Sequence, residues 1–97
     1  MGLNFRLGDR GQAFATRGKG QELRAEALQQ LGTEQVLVLD FRGVTNVTYS
    51  FADEFIGKLT ADARIRVDLV NVDERVDRVV SRAVERRAPA ASAADAR

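Results

Sequence analysis

Residues 36 to 59 read VLVLDFRGVTNVTYSFADEFIGKL: an unbroken apolar run from Val36 to Leu39, closed by Asp40, a short polar loop, and a helix that opens on Ser50. In open α/β sheets the carboxyl ends of strands and the amino ends of helices are where ligands and partners meet the chain. The stretch between Asp40 and Ser50 is therefore where a site is expected. Val36 to Phe41 carries apolar side chains on both faces, the pattern of a central parallel strand covered on both sides. Downstream, Ile65-Arg66-Val67-Asp68-Leu69 alternates, so one of its faces is expected to be wet or free for a partner. Strand, helix and strand over residues 35 to 71 call for a right-handed crossover into a parallel pair.

Working outward from that unit, Asn4 to Leu7 and Gln12 to Ala15 read as two short strands of a hairpin, joined by Gly8-Asp9-Arg10-Gly11. A helix is expected from Thr16, or just beyond it, to Leu31, with Leu23, Ala27 and Leu31 on its inner face and Gly32 as its stop. A last helix, capped by Asp73, runs to about Arg87 and turns Val76, Val79, Val80, Ala83 and Val84 inward. Residues 89 to 97 hold one proline and no large apolar side chain and read as a disordered tail after one domain of residues 1 to 88. The expected fold is α/β, a mixed β-sheet with helices in the order ββαβαβα. No internal repeat is visible.

Three segments, Leu39-Asp40-Phe41, Gly43-Val44 and Ser50-Phe51-Ala52-Asp53-Glu54, carry a family likeness, with a weaker echo in Thr16-Arg17, Gly20 and Leu23-Arg24. The chain resembles the STAS domains shared by sulphate transporters and anti-sigma-factor antagonists, and more closely a bacterial STAS-like group of unknown function. The resemblance implies a STAS-like sheet and a regulatory, protein-binding role. It also implies a partner of the anti-sigma kinase type, a histidine-kinase-like ATPase that phosphorylates a serine at the helix mouth, the position of Ser50. The antagonist pattern there is Asp-Ser-Ser-Gly; this chain has Thr48-Tyr49-Ser50-Phe51, without the aspartate and with a ring in place of the glycine.

Composition narrows the chemistry. A chain of 97 residues is one domain, long enough to bury roughly 60 to 65% of its unfolded surface. Its apolar runs fall short of the roughly 20 residues of a membrane span. Asn4, Arg6 and Asp9 interrupt the start of the chain before a signal peptide could form, so a cytoplasmic location is expected. With no cysteine and no histidine, disulfides, thiol chemistry, imidazole bases and ordinary zinc sites are excluded. A binding protein without a cofactor is expected rather than an enzyme. The formal net charge of +1 gives no overall pull toward nucleic acid or acidic lipid.

Ser50 supports two expectations. With Asp53 three residues on, it has the form of a capping-box N-cap, worth about 1 kcal/mol; by the resemblance, it is also a phosphoacceptor. The helix it opens turns Phe51, Ala52, Phe55, Ile56 and Leu59 inward, which leaves Gly57 outside, in line with Ser50, Glu54 and Ala61. Tyr49, Ser50, Asp53, Glu54, Gly57 and Ala61 are accordingly the expected partner-binding face, a shallow track on which another backbone could lie. A tolerated glycine, or cover by the tail, are the alternatives.

Asp40 ends an apolar strand and suits a tether for the loop amides from Arg42 to Thr48. As a weaker alternative it would hold Mg²⁺ with Asp53 and Glu54. No phosphate loop supports that alternative, since Gly18-Lys19 is followed by Gly20 and Ala13 stands where the first glycine belongs. Arg75, Arg78, Arg82 and Arg86 line the last helix, but Glu74, Asp77 and Glu85 share their side, which reads as a solvated face with a Glu74–Arg78 ion pair rather than a nucleic-acid track. The sequence thus points to a protein-binding switch. A constitutive adaptor or homodimerising module in which Ser50 only caps its helix is the alternative, and a nucleotide or Mg²⁺ binder through Asp40 comes third.

Overall fold

The apolar strand is the centre of the sheet. In a computed structural model that describes residues 2–87, β3 (Val36–Asp40) pairs in parallel with β1 (Gly2–Arg6) on one side and β5 (Arg66–Val70) on the other. The registers set Phe5 and Leu69 on either side of Leu39. The expected tail at residues 89 to 97 lies outside the described residues.

The order β1-β3-β5 steps the same way twice. Two right-handed crossovers taken in one direction put both connecting helices on one face of a sheet. Leu3, Phe5, Leu37, Leu39, Val67 and Leu69 form the helix-covered face, and Phe5, Leu37 and Leu39 are fully buried. On the other face Val36 and Val38 are only half-buried and Asn4, Arg6, Arg66 and Val70 are exposed. Cover on both sides of β3, expected from its composition, is therefore not formed among the described residues. Topology, not hydrophobicity, decides this, because a second layer would require the chain to reverse its direction across the sheet.

The expected hairpin is not formed either. After β1 the chain makes a 3-10 turn, Leu7–Arg10, that buries Leu7. Arg10 lies 4.0 Å over the Phe5 ring and donates from Nε to Glu26 at 3.2 Å, fastening the turn to the first helix. The chain then enters a two-residue strand, β2 (Ala13–Phe14), which pairs in parallel with β4 (Asn46–Val47). Every pairing among the described residues is parallel, and β4 makes the order ββαββαβα. The α/β, STAS-like architecture is as expected; the antiparallel element is the part that differs.

Helix α1 (Arg17–Leu31) begins where Thr16 Oγ1 accepts the Lys19 amide at 3.1 Å and stops at Gly32, whose φ is +58°. Helix α3 (Glu74–Arg86) is capped by Asp73, which accepts the Arg75 amide at 2.8 Å, and buries Val76, Val80 and Ala83. Between them runs α2, residues 49–60. Its first turn is α-helical (Tyr49–Ala52), its middle is a π-type turn (Asp53–Gly57), and Lys58–Thr60 resume the α form. Phe51, Phe55, Ile56 and Leu59 point into the core, and the Phe51 ring stacks 5.0 Å from Phe14.

Candidate functional site at the mouth of α2

The site begins with the way the chain enters α2. The Thr48 amide donates to the Phe14 carbonyl at 3.0 Å, the last bond of the small parallel pair, so Thr48 is still extended, with φ −88° and ψ 162°. That is the backbone an N-cap needs. Thr48 Oγ1 accepts the Phe51 amide at 3.2 Å and donates to the Ala15 carbonyl at 2.7 Å. The cap is therefore Thr48 and not Ser50, and no capping box forms with Asp53. Ser50 sits inside the first turn, half-buried, and its hydroxyl makes no hydrogen bond to another described residue. Tyr49 beside it is half-buried against the core.

Asp53 and Glu54 do not lie on an open face. Both are buried, 6% and 8% exposed, between α1 and α3. Asp53 accepts from Arg87 (Nε 2.7 Å, Nη2 2.9 Å) and from Arg17 Nη1 at 2.8 Å. Those two guanidinium groups, Arg87 first, hold the Asp53 carboxyl far below the usual range against the opposing effect of burial. Glu54 accepts from Lys58 Nζ at 2.9 Å and from Arg24 Nη2 at 3.0 Å, and its carboxyl is lowered for the same reason. Arg24 Nε also takes the Glu54 carbonyl at 3.1 Å, inside the π-type turn. A side chain drawing on a helix carbonyl is one cause of such irregular turns. Four cations thus surround two carboxylates, a local surplus of positive charge.

Gly57 is likewise buried, and the small-residue track expected on the outside of α2 does not exist as a surface. A Cβ at Gly57 would stand 3.1 Å from Arg87 Cγ and 3.3 Å from the Ala83 carbonyl. The glycine lets α3 approach. Gly20 does the same for α1, where a Cβ would stand 3.0 Å from the Phe51 carbonyl and 3.1 Å from Glu54 Cβ. Ala61, at the opposite end of α2 from Ser50, is exposed. Of the six residues expected to form one face, Tyr49 and Ser50 lie together at the mouth, Asp53, Glu54 and Gly57 lie beneath neighbouring helices, and Ala61 stands apart. The physical reason is that α2 has helices on both flanks as well as the sheet below, so its polar side faces arginines rather than water.

Asp40 does tether its loop. Its Oδ1 accepts the Arg42 amide at 3.0 Å and the Asn71 side-chain amide at 2.9 Å, and these bonds, Asn71 first, lower its pKa. The Mg²⁺ set of Asp40, Asp53 and Glu54 is not brought together, because the latter two carboxylates are taken up by arginines and lysine; no group of three or more metal-ligating side chains occurs among the described residues. A cleft of about 270 Å³ at the ends of β1 and β3 is lined by Arg6, Asp9, Asp40 and Arg42. The Glu74–Arg78 pair forms at 3.3 Å on an exposed face. Among the described residues no helix is long and apolar enough to cross a membrane.

Local sequence pattern does not announce the roles of Arg17, Arg24, Lys58 and Arg87, which come from three separate helical segments. The one available signal was a pair of adjacent acids, Asp53-Glu54, in a helix otherwise apolar over Phe51 to Ile56. No curated protein and no solved structure shows a significant match to the chain. A family model described as a STAS-like domain of unknown function matches residues 19–76. That match takes in α1 from Lys19 on, the central strand, all of α2 and β5, more than half of the sequence, so the chain belongs to the STAS-like domains of unknown function.

Proposed function

We propose that the domain is a protein-binding regulatory module, not an enzyme, that docks through the mouth of α2 on an ATPase of the anti-sigma kinase type, with Ser50 as the phosphorylated switch. One observation carries this reading. The cap belongs to Thr48, so the Ser50 hydroxyl, half-buried in the first turn, is left without a structural task or a partner among the described residues. Two further features support it. Helix amino ends favour phosphate, and Asp53 and Glu54, one turn further along the same side, are more than neutralised by Arg17, Arg24, Lys58 and Arg87. The partner class rests on the kinship to STAS domains.

The test is incubation of the full chain with a candidate partner ATPase and Mg-ATP, with mass spectrometry of the Ser50 peptide and titration of partner affinity. Wild type is expected to gain one phosphate at Ser50 and to lose affinity; Ser50→Ala keeps affinity and resists release; Ser50→Asp binds more weakly, though less so than the phosphoprotein because it carries about half the charge. Equal affinity of all three with no phosphate on Ser50 would overturn the switch and leave a constitutive adaptor.

A further inference from the structure

Among the described residues β5 is an edge strand with one side unpaired. The Arg66 amide donates to the Gln35 carbonyl at 2.7 Å and the Val70 carbonyl accepts from the Phe41 amide at 3.0 Å, so the even-numbered residues of β5 turn their backbone groups toward β3. The N–H and C=O of Val67 and Leu69, and the carbonyl of Ile65, therefore point outward. The Ile65 amide is already used, donating to Asp62 at 3.3 Å. Exposed edges of this kind are templates for another strand.

The side chains define which strand. Arg66 and Asp68 project from the uncovered face of the sheet and pair with each other along the strand at 3.1 Å, with side chains 75% and 40% exposed. On the covered side, half-buried Ile65, Val67 and Leu69 form an apolar strip, and Leu69 borders a groove of about 210 Å³ with Val80 and Val84. We propose that β5 pairs antiparallel with β5 of a second copy about a twofold axis at Val67, joining the two sheets into one.

Backbone parity and charge together select this register. Odd residues must face odd residues, since only they have outward backbone groups, and a shift by one would also exchange the two faces. Centring on Asp68 sets two aspartates opposite each other, and centring on Arg66 sets two arginines opposite each other. Centring on Val67 sets Arg66 against the second copy's aspartate twice, Ile65 against leucine twice, and Val67 against valine. The Val67 amides and carbonyls bond each other, and each Leu69 amide finds an Ile65 carbonyl. The interface is closed and self-complementary. The other edge, β1, carries Gly2, Asn4 and Arg6 on the same face and offers no such charge match.

Sedimentation velocity of the full chain over a wide concentration range tests the proposal, with hydrogen exchange as a measurement that needs no variant. Wild type is expected to dimerise, and amide protection at Val67 and Leu69 to rise with concentration while that of β1 does not. Arg66→Asp and Asp68→Arg each turn two cross-strand attractions into repulsions and should weaken dimerisation by at least about tenfold. An equimolar mixture of the two variants restores both attractions and should form a heterodimer. Both substituted side chains face solvent, and a circular dichroism melt confirms that the variants fold. A wild type that stays monomeric at the highest concentration overturns the proposal. So does a dimer unaffected by either variant, a mixture no better than its components, or protection at Val67 that ignores concentration.

Discussion

Arg87, just past the end of α3, grips Asp53 in the middle of α2 with two hydrogen bonds, Nε to Oδ1 at 2.7 Å and Nη2 to Oδ2 at 2.9 Å. Arg17 of α1 reaches the same carboxylate from the other side. A single acid thus ties three helices together over the sheet, and its charged form is held by partners drawn from both ends of the chain.

The pH dependence follows from that arrangement. The folded Asp53 carboxyl binds its proton more weakly than the unfolded one, so in acid the unfolded state takes up more protons and folding weakens. The contribution is fully present above the ordinary aspartate value, near 4, and is lost as pH falls through and below it. Thermal melts from neutral pH downward should show wild type losing stability below about pH 4 to 5. Asp53→Asn should be weaker at neutral pH by about 1–3 kcal/mol and flatter over the acid range. The half-exposed arginines make the lower end of that span the better expectation. Equal acid slopes for the two proteins would show that Asp53 does not govern the response.

Capping separates Thr48 from Ser50. Thr48→Ala removes the acceptor of the Phe51 amide and the donor to Ala15, and should lower unfolding free energy by about 1–2 kcal/mol. Ser50→Ala removes no hydrogen bond and should stay within about 0.5 kcal/mol of wild type. Denaturant melts of both variants check this; the reverse order would return the cap to Ser50.

Close helix approach makes two glycines intolerant. Gly57→Arg must force a long side chain between α2 and the Ala83 to Arg87 end of α3, and should cost about 1–3 kcal/mol or more, against the propensity gain of about 1 kcal/mol for replacing glycine in a helix. Gly20→Ala should be destabilised by the Phe51 carbonyl and Glu54 Cβ. Gly18→Ala, with nothing within 4 Å of the new methyl group, is the control and should gain about 0.5–1 kcal/mol. A Gly57→Arg protein as stable as wild type would mean that α3 does not sit against α2 there.

Loop fastening at Asp40 should be separable from metal binding. Asp40→Ala frees the Arg42 amide and the Asn71 side chain, so hydrogen exchange at Arg42 should quicken. Millimolar Mg²⁺ should leave the melting temperature of wild type unchanged, because no second carboxylate from Asp53 or Glu54 is available to share an ion. A melting temperature that rises with Mg²⁺ and loses that rise in Asp40→Ala would establish a cation site after all.

Periodicity and punctuation alone determined the central strand, the inward stripes of all three helices, the start of α1 at or just past Thr16, the Asp73 cap and the Gly32 stop, because each is a local property of a few neighbouring residues. The tether at Asp40 was legible for the same reason, its acceptor and the Arg42 amide being two residues apart. Only the tertiary structure decided the rest. Thr48 and Ser50 are both competent caps by type, and the pairing of β4 with β2 fixed which one stays extended. Val36 and Val38 look as buried as Leu37 and Leu39, but the direction of two crossovers left their face without a helix layer among the described residues, and both are only half-buried. Asp53, Glu54 and Gly57 occupy the polar side of an amphipathic helix, and what covers that side, Arg17 and Arg24 from one end of the chain and Arg87 from the other, is a long-range outcome that local spacing along α2 does not encode.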